Sequence, residues 1–295
     1  MNAGRTTRKY TGKSRSGKRV AQPTQNPRMI MITAPNQRVL SSLRQDWAGG
    51  FGSCREHRTS GRYISGGPLP RTLRAGSLSV LESYNGDFTF TRIRYSGPGF
   101  GRFGGSSWSH DYPDADRNIQ TILDEYTAMS PNTSGSNVVH LEDRRMFEQP
   151  LIYVSEPGYW RITEEGARNL REYLLKGGFL IFDDFEADQW YNMDAQVLRA
   201  LPEREWVELD DSHPIFGTFF YIEDIYVPHP SVDVEPRYMA IFEDNDPSKR
   251  VMVLANHNSD LAEYWEWSAS GLFSVDPTND AYRLGVNYII YGLTH

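Results

Sequence analysis

The sequence predicts a three-layer α/β domain, with a mainly parallel sheet covered on both faces by helices, behind a basic N-terminal arm. Three observations carry this. Short apolar runs alternate with stretches whose apolar residues recur every three to four positions, the pattern of strands joined by crossover helices. The helical stretches bring their own start and stop residues. Charge is partitioned along the chain. Residues 1–80 hold 15 Arg and Lys against Asp46 and Glu56, a formal +13, and the remaining 215 residues hold 16 basic and 36 acidic side chains, a formal −20.

The elements follow in order from residue 85. Phe88-Thr-Phe-Thr-Arg-Ile-Arg-Tyr95 alternates with period two and reads as an amphipathic strand. Ser96 to Ser109 is a Gly-rich loop, read as a mobile lid or rim. Asp114 or Asp116 caps a helix to about Met129, with Ile119, Ile122, Leu123 and Tyr126 on one face. Asn137 to Leu141 and Pro150 to Val154 are strands, the second stopping at Glu156-Pro157-Gly158. Thr163-Glu-Glu-Gly opens the clearest helix, Ala167, Leu170, Leu174 and Leu175 form its face, and Lys176-Gly177-Gly178 stops it. Phe179 to Phe182 is a buried strand ending in Asp183-Asp184. A helix over Met193–Leu201, an extended stretch Trp206–Leu209, a strand Arg250–Ala255 and a closing helix Tyr282–Leu293 complete the domain. A body of this size buries roughly 70% of its unfolded surface, enough for its own core.

Residues 1–84 form a separate region. Arg, Gly, Ser and Thr without period bury too little apolar surface to offset the entropy of ordering, so this arm is expected to be mostly disordered. Three readings of it stay open: an arm using Arg on phosphates or another anionic surface, a solvated tail, or a start set upstream of the true one, a misread leader included. Nucleic acid is not an expected partner except through residues 1–80.

Several classes fall away. No apolar run of 18 residues exists, so no spanning helix is expected. The patch Met29 to Ile32 is too short for a signal-peptide core, and no export signal is readable. The single cysteine, Cys54, excludes a disulfide framework and a multi-thiolate zinc site, and it lies outside the body, so no Cys–His nucleophile forms there. There is no Gly-x-Ser-x-Gly elbow, Gly97 to Gly105 lacks the phosphate-loop pattern, and no H-E-x-x-H occurs. No cofactor is implied.

In open parallel sheets ligands sit beyond the carboxyl ends of the strands. The residues leaving those ends are Trp108 to Pro113, Ser155 to Trp160, Asp183 to Asp188 and Asn256 to Asp260, with Trp265 and Trp267 beyond. Two functions compete, and the absence of a nucleophile together with abundant Trp and Tyr on these loops favours the first over an enzyme. The first is a non-catalytic module binding a protein or glycan through an aromatic and acidic rim of Trp108, Asp111, Tyr112, Glu156, Trp160, Asn258, Asp260 and Trp265. The second is a hydrolase using Asp183, Asp184, His213 and perhaps His257, with or without metal. Carboxylates with His110, His213 and His257 are the ingredients of a hard-metal or zinc-water site, but their spacing assigns no ligand set. Helix capping, solvated acids and aromatic packing account for the same residues without any ligand.

The pieces Phe88-x-Phe-x-Arg-x-Arg-Tyr95, Tyr112-Pro113, Pro150-Leu-Ile-Tyr153, Leu174 to Asp184 (LLKGGFLIFDD), His213-Pro-Ile-Phe216 and Leu284-Gly-Val-Asn-Tyr288, in this order, resemble the bacterial domain of unknown function 4159 over about residues 86–295. That family looks like a branch of the class I glutamine-amidotransferase-like, flavodoxin-like superfamily. His213 to Phe216 followed by Ile222-Glu-Asp-Ile-Tyr226 is also similar to trehalose-utilisation-type members. The resemblance implies a flavodoxin-like α/β sandwich and, through the leader its members carry, a periplasmic or otherwise exported protein of the cell envelope. It implies no reaction. The amidotransferase cysteine sits on a strand–helix elbow, whereas here the strand exits into Asp183-Asp184-Phe185 and residues 85–295 hold no Cys, which excludes glutamine thioester chemistry.

Overall fold

A computed structural model describes residues 87–97, 107–222 and 224–295. The expectations for the basic arm, Cys54 and most of the Gly-rich loop lie outside these residues.

Among the described residues, seven strands form one sheet: β1 (Thr91–Ile93), β2 (Asn137–Val139), β3 (Leu151–Ser155), β4 (Phe179–Phe185), β5 (Val207–Glu208), β6 (Arg237–Phe242) and β7 (Val251–His257). Their order is β2-β1-β3-β4-β7-β6-β5. The first five in that order are parallel; β6 runs antiparallel to β7 and to β5. The helices are α1 (Asp114–Tyr126), α2 (Glu164–Leu175), α3 (Gln189–Ala200), α4 (Leu261–Glu266) and α5 (Val275–Thr294). None is long and apolar enough to cross a membrane.

Strand alternation divides the core in two. Leu151 and Tyr153 of β3 and Phe179 and Ile181 of β4 pack with Ile119 of α1, Leu261 of α4 and Leu284 of α5. Ile152, Val154, Leu180 and Phe182 point the other way, onto Leu170 and Leu174 of α2 and Met193 and Val197 of α3. The sheet is therefore covered on both faces, which is why its central strands read as unbroken apolar runs.

Local signals fix the helix ends. Thr163 Oγ1 accepts the Gly166 N–H at 2.9 Å, a side-chain cap on an orphan donor. At the other end Gly177 takes φ +106°, which only glycine adopts freely, and Gly178 N–H closes onto the Tyr173 carbonyl at 3.0 Å. α5 lies tight on α4: a Cβ at Gly285 would sit 2.5 Å from the Trp265 ring.

Five elements depart from the sequence reading. β1 is not amphipathic, because Thr91, Arg92 and Ile93 are all buried in a strand flanked on both sides. β4 runs on through Asp183 and Asp184. β6 and α4 are absent from that reading: Tyr238 to Phe242 is an apolar run of strand length that joins β7 without the expected crossover helix, and α4, at six residues, is too short for a helical period to register. α5 begins at Val275 rather than Tyr282, since Pro277 falls in its first turn, where a missing N–H breaks no helix bond.

Arg92 explains why β1 tolerates a charge in its middle. Its Nη2 meets Asp116 Oδ1 of α1 at 2.6 Å, both side chains essentially without solvent exposure. Its Nη1 donates to the carbonyls of His110 at 2.7 Å and Trp108 at 3.3 Å, and its guanidinium lies 5.1 Å from the Tyr153 ring centroid. Removing one partner strands the other's charge. Asp116→Ala is expected to lower unfolding free energy by about 3–5 kcal/mol, read from urea denaturation, whereas Arg92→Met with Asp116→Leu recovers most of it. A loss below about 1 kcal/mol for the single variant contradicts this account.

Candidate metal centre

The site is built where β1, β3, β4 and β7 end, and the bend in β4 aims it. Adjacent strand residues face opposite sides of a sheet, so a regular β4 would send Asp183 and Asp184 apart. Instead the β4–β7 register slips between Phe182 and Phe185, and Asp184 takes φ +61°, a bulge of the kind that re-aims a side chain.

Asp183 turns into the protein. Its carboxylate accepts from Tyr153 Oη at 2.9 Å, Asn256 Nδ2 at 3.0 Å and the Leu261 and Ala262 N–H groups at 2.9 and 3.2 Å. It thereby ties β3 and β7 to the start of α4. Burial pushes it up to about 7 despite those donors. With its lone pairs engaged, Asp183 is a structural clasp.

Asp184 faces the opening. Its Oδ2 accepts from Ser155 Oγ at 3.1 Å and bonds His110 Nδ1 at 2.8 Å. His110 Nδ1 also lies 3.6 Å from Glu156 Oε1 and 3.8 Å from Asp111 Oδ2. Three overlapping sets bring donor atoms within 4.8 Å of one another: Asp111, Asp184 and Asp260; His110, Glu156 and Asp184; and His110, Asp111 and Glu263. All but His110 and Glu263 are buried; the His110 side chain, 47% exposed, marks the side open to solvent.

This cluster is short of counter-charge, with His110 its one basic member. The Asp111 side chain is wholly buried and neither of its oxygens accepts from a described N–H or O–H group; the carboxyl groups of Glu263 and Glu266 lie beside it instead. Glu156 Oε2 and the Ser259 hydroxyl are buried and unpartnered too. Burial, then repulsion from Asp184, holds Asp111 and Asp260 well above the carboxylate range. Burial raises Glu156 to about 7. The bond to Asp184 raises His110 to about 10. Orphaned buried acceptors are costly, and the backbone bears strain in the same place: Asp111, Glu156, Asp184, Ala187 and Asn258 all have φ between +47° and +61°. Such conformations cost about 1–3 kcal/mol each and gather at functional sites. Oxygen donors in this number suit a hard divalent cation such as Mg²⁺, Mn²⁺ or Ca²⁺, and one imidazole leaves Mn²⁺ or Zn²⁺ within range.

The profile of the family described as Domain of unknown function (DUF4159) matches residues 89–293. The chain belongs to this family. No curated protein matches it.

Of the residues singled out in the sequence, this DUF4159 chain brings Asp111, Glu156, Asp184 and Asp260 together. His213 is not among them. It precedes the 3-10 segment Pro214–Gly217 and packs on Phe242 and Tyr291, beside the amino end of β7. The length of β7, roughly 20 Å at about 3.3 Å per residue, separates it from Asp183 and Asp184, so the three cannot share one reacting atom. His257 ends β7 but packs on Phe185 and Trp190 and bonds the Ala187 carbonyl at 3.0 Å. Asn258 shapes the rim, accepting from Ala187 N and donating to the Glu235 carbonyl.

The aromatic rim is largely core. Trp160 has no exposure and packs on Phe182, and Trp265 is 3% exposed between Phe90 and Tyr153. Apolar side chains so large gain more from full burial than from display. Trp108 and Tyr112 remain half-buried, their centroids 5.7 Å apart. Glu263 was not legible as a site residue, although Asp260-Leu-Ala-Glu263 has capping-box spacing: Asp260 Oδ1 accepts the Glu263 N–H at 3.0 Å. Ser259 carried no signal.

Two outcomes follow for the metal-free chain. Asp111→Asn keeps the shape, tolerates the left-handed backbone and supplies N–H donors to the surrounding carboxylates. It is expected to stabilise EDTA-treated protein by about 1–3 kcal/mol in urea titrations; destabilisation contradicts the reading of Asp111 as an orphaned buried carboxyl. Stability should also fall with alkalinity. Asp111 and Asp260 bind protons in the folded state that they would release unfolded, and the His110 contribution, complete below about 6.5, is lost as pH rises toward about 10. From about pH 7 to about 9 the histidines held low by burial, His213, His229 and His257, are already neutral. The urea midpoint should therefore drop across that window, and drop less in Asp111→Asn.

Proposed function

We propose that this protein is a metal-assisted hydrolase whose centre is a divalent cation held by Asp111, Asp184 and Asp260. The observation that carries the reading is Asp111, a buried carboxylate with both oxygens unpartnered and aimed at two further carboxylates. A hard cation among them satisfies those oxygens, polarises a bound ester or amide carbonyl or a phosphoryl group, and activates water. The −20 body draws cations toward it. His110 stands on the open side, and the buried Glu156 Oε1 lies 3.6 Å behind it. In hydrolysis there the water oxygen bonds to carbon or phosphorus, the bond to the leaving atom breaks, and Glu156 carries the water's proton to that atom.

The strand order supports the flavodoxin-like class. Counting parallel strands alone, β2-β1-β3-β4-β7 is the 2-1-3-4-5 order, and the cluster lies beyond the carboxyl ends on either side of its β1/β3 switch point. The amidotransferase-like superfamily and export to the periplasm rest on resemblance. A non-catalytic envelope module binding protein or glycan would have Trp108 and Tyr112 as its aromatic contacts, since Trp160 and Trp265 are packed inside.

The test is thermal unfolding and turnover of the full chain. At a hundredfold excess over its Kd, Mn²⁺ should raise Tm by about 5–10 °C, and Asp111→Asn should abolish the shift. A panel of chromogenic carboxylic and phosphoric esters should show Mn²⁺-dependent hydrolysis that falls roughly 100-fold or more in that variant. A Tm unmoved by Mg²⁺, Mn²⁺, Ca²⁺ and Zn²⁺ overturns the reading.

A further inference from the structure

We propose that the centre takes a pair of divalent cations, one among Asp111, Asp184 and Asp260 and a second between His110, Glu156 and Asp184, with Asp184 shared. This rests on the reading of the site as a cation centre and adds to it a second ion and a bridging residue.

Geometry argues first. The donor atoms within each set lie inside 4.8 Å, the span of one ion's shell, since oxygen ligands stand about 2.0–2.6 Å from Mg²⁺ or Ca²⁺ and opposite ones are twice that apart. The two sets have only Asp184 in common, and they open differently. Asp111, Asp184 and Asp260 are all buried, whereas His110 brings the second set to solvent.

Each set has its own unsatisfied group. Asp111 is orphaned in the first. In the second, Glu156 has a side chain 8% exposed and a buried, unpartnered Oε2. One ion in the first set leaves Glu156 Oε2 as it is, because Glu156 belongs to the other. Charge argues the same way. Asp111, Glu156, Asp184, Asp260 and Glu263 share the site with one imidazole; with every carboxyl proton displaced, a single divalent ion offsets two of five negative charges where a pair offsets four.

The pair also narrows the substrate class. Two ions bridged by a carboxylate clamp the attacking and leaving oxygens of an in-line displacement, which favours a phosphoester over a carboxylic ester. Glu156 can ligate through one oxygen and keep the other for the proton.

The experiment is native mass spectrometry and Mn²⁺ electron paramagnetic resonance on the full chain after buffer exchange. Wild type should retain two Mn²⁺ per chain and show a spin-coupled spectrum in place of the six-line signal of an isolated ion. Glu156→Gln and Asp260→Asn should each retain one ion and restore the six-line signal, and Asp184→Asn should retain none or one held loosely. Asn still caps α4 at position 260, and circular dichroism in EDTA checks the fold of every variant. The wild-type spectrum by itself separates one ion from two, even if a variant unfolds. One Mn²⁺ per chain in wild type overturns the pair and leaves the single-cation hydrolase standing; none overturns both. Faster Mn²⁺-dependent turnover of carboxylic esters than of phosphoesters overturns the substrate class.

Discussion

An arginine in the middle of a strand buried on both faces must be neutralised by the protein, and much of this molecule is arranged around that requirement. Arg92 occupies the centre of β1. Burial opposes its charge, and Asp116 sustains it. Because a guanidinium presents more donors than one carboxylate can accept, the remaining N–H groups reach the carbonyls of Trp108 and His110. The segment entering α1 is thereby fixed at both ends, by Asp116 on the helix and by its own backbone. His110 and Asp111, between those anchors, gain a set position over the carboxyl end of the sheet. One ion pair thus links a buried strand, the first helix and the mouth of the site.

A second constraint works through Asp183. A short α4 has little helical stability of its own. It is held because Asp183 receives its first N–H groups while Tyr153 and Asn256 bind the same carboxylate from neighbouring strands. That clasp sets Asp260 and Glu263 at the start of α4 opposite Asp111. The bulge that follows directly re-aims Asp184 at the opening. Two adjacent aspartates therefore divide the work: one is saturated with donors and organises the scaffold, the other is left open. The strained residues Asp111, Glu156 and Asp184 are tolerated because the scaffold beneath them is closely packed.

Much of this was legible in the sequence and some was not, for reasons that lie in particular residues. Periodicity located α1, which Pro113 precedes with no side-chain cap from Asp114 or Asp116; period and terminators such as Thr163 and Gly177 located α2, β3 and β4. The same reasoning misassigned Arg92 to a wet face, since alternation of apolar and charged residues looks identical whether the charge meets water or a buried partner 24 residues away. Strand-exit logic drew Asp111, Glu156, Asp184 and Asp260 into view. It could not separate Asp183 from Asp184, because the difference lies in a bulge. It also could not exclude His213, because sequence does not tell which end of the sheet a loop occupies. Trp160 and Trp265 follow loops in the chain yet turn inward, a choice made by packing alone.

The exit of β4 does not have the form that a strand-end nucleophile needs. A nucleophile at such an exit needs a sharp elbow into a helix, with backbone N–H groups gathered around one side chain. Here the strand continues past Asp184 to Phe185, α3 begins only at Gln189, and acid side chains from three other strand ends converge instead. The environment that results repels a thiolate and suits a cation, and it does so through the features that would otherwise count against stability: unpaired Asp111, unpartnered Glu156 Oε2 and a run of left-handed residues. The same interior supplies Arg92 with acceptors and Asp183 with four donors. Against that provision, the unmet carboxylate oxygens at the carboxyl ends of a parallel sheet stand out, and they are what the proposed cation would satisfy.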